Sequence, residues 1–401
     1  MKPKITISFN NGVIGSVTPL DSGCFGVVAS AVAVTDGFQL GTAYQVKSML
    51  DVAALKLTDS IENHRLYKTL SEFYEEAGSG TELWIYGMAK STKTSDWFTP
   101  VNGIAPVEGL LNKAKGKIRG LFTVYDPTVA PTVSDGLDAD VLLAAGKAQT
   151  LFEDYTAKKY APFFTILEGY AFTGNKVDLP DLKMNDFNSV GILIGDTETR
   201  TGTTASKGAA VGVLAGRLAS YPVRVNPGKV RNGSLNAPVL YINDSDVDEY
   251  DTEALYDKGF ITFTTHQSRS GYYIIDASLT CPVSDDYHYL THRRTINEAF
   301  RLAYDALLDF ELDEVPTTST GQINAIYAKN MESAIARKVA TSMPEDLSKD
   351  ETNPKDTGVR CFVDPNQNTL VTSKIKAVLA IRPFGYNRWI EMLIGFDVQI
   401  T

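Results

Sequence analysis

Little in this chain of 401 residues invites covalent or metal chemistry. It has three cysteines and four histidines. Cys24, Cys281 and Cys361 are odd in number, far apart, and form no CxxC. They read as small, buried residues of a protein folded in a reducing compartment. Positive charge is also scarce. Lys and Arg number 38 against 48 Asp and Glu, a net charge of −10 with a pI near 5.0. That balance argues against nucleic-acid and anionic-membrane partners. No apolar run approaches the roughly 20 residues of a membrane helix, and GAAVGVLAG is closed after nine by Lys207 and Arg217. The opening MKPKITISFNNG has no apolar core of a signal peptide.

Catalytic motifs are missing as well. There is no GxxxxGK[ST] to cradle phosphate, no GxSxG elbow and no GxGxxG. No cofactor is expected. His288 and His292 stand four apart in DDYHYLTHRR and could share a helix face as metal ligands. No glutamate motif accompanies them, so a capped, charge-rich helix start, with Asp285 and Asp286 facing the dipole, is the plainer reading. Strands that end in Asp126, Asp196 and Asp276 leave one enzymatic alternative: a site at the strand ends near Asp196 and Asp276.

What the chain has is pattern. FGVVASAVAV, TELWIYGM, GLFTVYD, APFFTILEG and NSVGILIGD read as strands. IENHRLYKTLSEFYEE, LDADVLLAAGKAQTLFEDYTAKKY and TASKGAAVGVLAGRLAS read as helices. Buried strands alternating with amphipathic helices predict a doubly wound α/β domain with a mainly parallel sheet, which the resemblance named below would make the outer one. Gly208, Gly212 and Gly216 share one face, which implies tight packing on that sheet. GFITFTT and GYYIIDA are further strands. From Asp285 the texture changes to α+β. One helix carries the stripe Ile296, Phe300, Ala303, Leu307 and Phe310. A second carries Ile323, Tyr327, Met331, Ile335 and Val339. An acidic loop and three strands follow. The expected organisation is an arm over 1–20, an α/β domain over 21–284, a second domain over 285–388, and an arm over 389–401.

Both arms alternate with period two. Ile5, Ile7 and Phe9 share one face near the start. In RWIEMLIGFDVQIT, Ile390, Met392, Ile394, Phe396, Val398 and Ile400 share another. Six such side chains, at roughly 1.5–3 kcal/mol each when buried, amount to on the order of 10 kcal/mol. A strand of that kind pairs, either within its own chain or with another.

The second half of the chain resembles the contractile tail sheath proteins of phages and related injection systems. Four segments, within 204–396, carry the likeness: SKGAAVGVLAGRLASYPVRVNPGKVRNG, the run from KGFITFTT through DDYHYLTHRRTINEAF with Arg293 and Arg294, VRCFVDPNQNT, and IKAVLAIRPFGYNRWIEMLIGF. Where the family often has a tryptophan and an Arg-Thr pair, this chain has aliphatic residues and Ala277-Ser278. The resemblance implies a structural subunit with no enzymatic activity. It would polymerise helically with itself in six-fold rings around a tail tube protein, and contract to drive the tube through a target envelope. Its partners would include baseplate and tail terminator proteins, and its location a virion tail assembled in the bacterial cytoplasm. The arms would add strands to neighbouring inner domains. Lys329, Arg337 and Lys338 make the second helix of the inner domain the basic, tube-facing candidate, against the alternative of a solvated helix face. A static tube or capsid component would share the assembly without a second geometry.

Overall fold

The computed structural model describes residues 21–202 and 205–395. The chain divides into two compact units, with the division after Leu308.

The first unit is built on a mixed sheet whose strands, in chain order, are β1 (Phe25–Ala31), β2 (Ala43–Val46), β3 (Leu83–Ala89), β4 (Gly120–Val124), β5 (Phe164–Glu168) and β6 (Val190–Leu193). Their spatial order is β2-β3-β1-β4-β5-β6. All neighbours run parallel except β2, which lies antiparallel to β3 at one edge. Every residue of β1, β4, β5 and β6 is buried. That is why these segments read as continuous apolar or small-residue runs rather than alternating ones. At the centre, the rings of Phe25, Phe122 and Phe164 meet edge to face with centroids 5.3–5.9 Å apart. Gly120 makes room for them, since a Cβ there would lie 2.4 Å from the Phe164 ring.

Three helices cover the sheet: α1 (His64–Ala77), α2 (Asp140–Lys159) and α3 (Val211–Ala219). The stripes expected of α1 (Leu66, Leu70, Phe73) and α2 (Val141, Ala145, Ala148, Phe152, Tyr155) are buried. The glycine face of α3 works differently from the expectation. A Cβ on Gly212 would stand 2.3 Å from the Thr69 carbonyl oxygen, and one on Gly216 2.6 Å from that of Phe73. Both carbonyls belong to α1, so the glycines let two helix backbones touch instead of fitting the sheet. Gly208 precedes α3 and faces Arg65 and Glu168. The segments GFITFTT and GYYIIDA form an antiparallel hairpin of their own, β7 (Phe263–His266) with β8 (Arg269–Ile274).

Helix α4 (Leu290–Leu308) closes the first unit, and its buried face is not the one expected. Phe300, Leu307 and Leu308 are exposed or nearly so, whereas Arg293, Arg294 and Asn297 are buried. The reason is hydrogen bonding. Arg293 donates from Nε to the Asn188 carbonyl at 2.9 Å. Arg294 donates to the carbonyls of Leu218 at 2.9 Å and Tyr221 at 3.3 Å. Arg301 donates to Ile118 at 2.8 Å and also to Gly116 and Pro162. Glu298 pairs with Arg119 at 3.0 Å. The Leu218 carbonyl is in the last turn of α3 and the others lie in loops, several leading into β4, β5 and β6; the guanidinium fork satisfies acceptors that no strand partner reaches.

In the second unit, helix α5 (Ala325–Ser342) buries Ala328, Met331, Ile335 and Val339 together with Ile323, and Tyr327 is half-buried. A two-stranded antiparallel sheet, β9 (Val359–Val363) with β10 (Ala377–Ile381), packs beside it. TLVTSKIKAVLAI is therefore not one strand: it holds a short helical turn, α6 (Thr369–Thr372), before β10. Cys24 and Cys281 are buried; Cys361, in β9, is half-buried on the same face as buried Val359 and Val363.

Candidate assembly surface

Of the strand-end aspartates, Asp196 sits in a buried polar cluster. Asp196 follows β6. Its Oδ2 accepts from Arg65 at 3.0 Å and from Ser206 at 2.6 Å. Its Oδ1 accepts from Lys68 at 2.5 Å and from the Thr197 amide at 2.8 Å. Arg65 also pairs with Glu168, at the end of β5, and Lys68 with Glu72 at 2.8 Å. Glu168 accepts in addition from the amides of Tyr125 at 2.6 Å and Ala209 at 3.0 Å. Burial by itself would raise the Asp196 carboxyl, but the Lys68 and Arg65 charges outweigh it and hold it well below the usual range. Burial raises Glu168 and Glu72. Both oxygens of Asp196 are occupied by donors of the chain itself, so it has the contacts of a strut joining α1 to the strand ends rather than of a general base.

Asp276 is similarly engaged, its Oδ1 accepting from Asn226 and from the Ala277 amide at 2.7 Å each. Asp126 pairs with Lys90. His288 is buried with Nδ1 2.8 Å from the Cys281 carbonyl, and His292 lies with Nδ1 3.3 Å from that of Asp286. Each ring has a main-chain carbonyl within reach of Nδ1. No group of three or more metal-ligating side chains occurs among the described residues. Nor is any helix there long and apolar enough to cross a membrane.

The second unit presents a different chemistry. Its sheet has two strands among the described residues, and β10 is exposed or half-exposed along its whole length. Phe362, Val378, Leu370 and Val371 all face water. Beyond β10 the chain continues through Arg382 without further strand pairing as far as it is described. Trp389, Ile390, Met392, Leu393 and Ile394 are 76–100% exposed. Both faces of the alternating segment are thus uncovered up to residue 395. Phe396, Val398 and Ile400 lie outside the described residues, as do Ile5, Ile7 and Phe9. A row of large apolar side chains with unpaired backbone has the makings of an added strand.

On α5, Lys329 is exposed and pairs with Glu332 at 2.6 Å. Glu332 is itself buried and accepts the Val363 amide at 2.9 Å, pinning β9 to the helix. Arg337 is exposed and Lys338 half-buried. The three candidate cations therefore do not share one degree of exposure.

Sequence reasoning missed the role of Arg293, Arg294 and Arg301. The signal was present: spacings of seven and eight put all three on one side of α4. It also missed the Arg65–Glu168–Asp196 network, whose members are 28 to 131 residues apart and have no local signature.

Comparison with known proteins bears on the whole chain. The model for the DUF2586 N-terminal domain matches residues 2–278, and that for the DUF2586 C-terminal domain matches 286–401. No curated protein matches significantly. Among solved structures, a chain in the 6-fold symmetrised baseplate of the anti-feeding prophage is similar at a TM-score of 0.64 and 15% identity, with 99% of each chain covered. The helical sheath of the anti-feeding prophage in its contracted state is similar at 0.62 and 15%, again with 99% of each covered. The sheath complex of the extracellular contractile injection system PVC, also contracted, gives 0.53 and 13%, with 99% of this chain and 98% of that one covered. None of these likenesses supports the enzymatic alternative at Asp196 and Asp276. The chain belongs to the DUF2586 family, and its mixed α/β fold is that of contractile injection system sheath proteins.

Proposed function

We propose that this protein is the structural subunit of a contractile tail sheath. It polymerises helically around a tail tube, in six-fold rings, and contracts to drive the tube through a target envelope. The observation that carries the reading is the uncovered apolar segment 389–395 beside a two-stranded sheet. An isolated two-stranded sheet is marginal in water and gains from a third strand. A terminal strand donated to the next copy makes a heterologous contact, and such contacts generate rings and helices. The likeness of fold to contracted sheaths supports the same reading.

In this assignment 1–20 and 389–401 are arms, 21–284 is the outward domain and 285–388 the inner polymerisation domain. The arm side chains are Ile5, Ile7, Phe9, Ile390, Met392, Ile394, Phe396, Val398 and Ile400. Lys329, Arg337 and Lys338 face the tube. Baseplate and tail terminator proteins cap the two ends of the sheath, and the work of contraction comes from subunit packing, with no cofactor. The site of action is a virion tail or the equivalent cell-encoded device.

Electron microscopy of the full chain beside a version ending at Asn387 tests this. Ribbed hollow tubes are expected from the first and none from the second. Monomer-sized particles from both, with the shorter version folded, would overturn the proposal.

A further inference from the structure

The first residue of α1 makes contacts that only one protonation state satisfies. The ring of His64 has Nδ1 2.5 Å from Asp59 Oδ1 and Nε2 2.7 Å from Glu198 Oε1. A neutral imidazole has one N–H to donate; the imidazolium has two. Both carboxylates can be served only by the charged ring. Asp59 lies in the turn before α1, and Glu198 in the segment that leaves β6, 134 residues beyond His64 in sequence. One proton therefore joins two distant segments of the first unit.

We propose that protonated His64 is a pH-operated latch that fastens the stretch Thr197–Gly202 to the start of α1. Glu198 is the sensitive partner. Its Oε2 is buried with no hydrogen-bond partner, so the contact through Oε1 is what compensates its desolvation. Asp59 is 59% exposed and can turn to water, so a neutral ring can keep its one N–H on Nε2 for Glu198; what deprotonation removes is the charge that makes that contact a salt bridge. The other charged groups around the ring do not substitute for the latch. Lys68, one turn along α1, is taken by Asp196 and Glu72. Glu75 and Glu76, with Tyr67, line the same cavity of about 330 Å³ and add only negative charge or a neutral phenol. Arg200, in the latched stretch, is turned to the Phe172 carbonyl. His64, Asp59 and Glu198 are among the residues that line the cavity, so release of the stretch would change its lining.

Burial opposes the charge on His64, but the hydrogen bonds and charges of Asp59 and Glu198 outweigh it and hold the imidazole above its ordinary value. A group raised on folding contributes its full stabilisation below the unfolded pKa, near 6.5, and loses it as pH rises through the raised folded value. The latch is closed in mild acid and opens on the alkaline side.

Hydrogen–deuterium exchange of the full chain tests this on peptides covering 197–202. The Arg200 amide, which donates to Asp244 at 2.8 Å, is the reporter. Rates are compared between about pH 5.5 and about pH 9, the range bracketing histidine titration, after normalising for the intrinsic pH dependence of exchange. In the native protein the stretch should exchange several times faster on the alkaline side. His64→Gln should exchange at the fast rate throughout, and so should Glu198→Gln, which leaves α1 untouched and guards against misfolding of the first variant. A native stretch with one normalised rate across the range would overturn the latch. So would the same step in either variant.

Discussion

The two units handle apolar surface in opposite ways. The first buries it: four strands are covered on every residue, and Trp84 and Trp97 are both inside. Two of its buried carboxylates, Asp196 and Glu168, each accept from several donors. The second buries a modest core around Ile335 and Val339 and leaves Phe362, Leu370, Val371, Val378 and the whole stretch 389–395 facing water. Apolar surface of that extent is commonly where another chain binds. On the proposed reading the second unit is half of an interface, whereas the first has its apolar surface covered.

The sharpest test of that contrast is the pair Ile390→Asp and Ile394→Asp made together. Both side chains are already in water, so the stability of the single chain should move by less than about 0.5 kcal/mol. Assembly should nevertheless be lost, because two charges would have to enter a strand pairing. Sedimentation beside a denaturant titration reads both quantities. Assembly that survives both charges would erase the distinction between the units.

In the first unit the same logic predicts a loss of stability without any interface. Arg65→Ala removes the cation shared by Glu168 and Asp196 and should cost about 3–5 kcal/mol, the range for breaking a buried ion pair. Tryptophan fluorescence follows it, since Trp84 and Trp97 are buried in this unit whereas Trp389 is exposed. An unchanged midpoint would mean that the network is slack. The smallest effect is expected from neutralising Lys329 and Arg337 to Gln. Exposed charges of this kind are worth roughly 0–1 kcal/mol to stability. Tube binding should weaken and become less dependent on salt. Unaltered salt dependence would remove α5 from the tube-facing role.

Legibility followed the range of the interactions. Strands β1 and β3 to β6 were readable because a fully covered parallel strand needs an unbroken run of small and apolar residues. Helices α1, α2 and α5 were readable because one stripe faces the core. Helix α4 was misread. Its apolar stripe, Ile296 to Phe310, predicts the buried face, but Phe300 and Leu307 are exposed and the arginine face is buried, because unpaired main-chain carbonyls are costly to leave unmet. The glycine face of α3 predicts a close approach to the sheet, and the backbone it meets is that of α1. Of the assembly surface, the alternation in 390–394 was plain, while the exposure of Leu370, Val371 and Val378 was not.

The sequence by itself determined the α/β pattern, the scarcity of positive charge and the alternation at the ends, because each is a local or compositional property. Tertiary structure decided what those features face. It brought Arg65, Glu168 and Asp196 together from three distant segments, turned the arginines of α4 inward, and left 389–395 uncovered. Those outcomes depend on which backbone groups and charges lack partners once the sheet has closed, and that is a property of the folded chain alone.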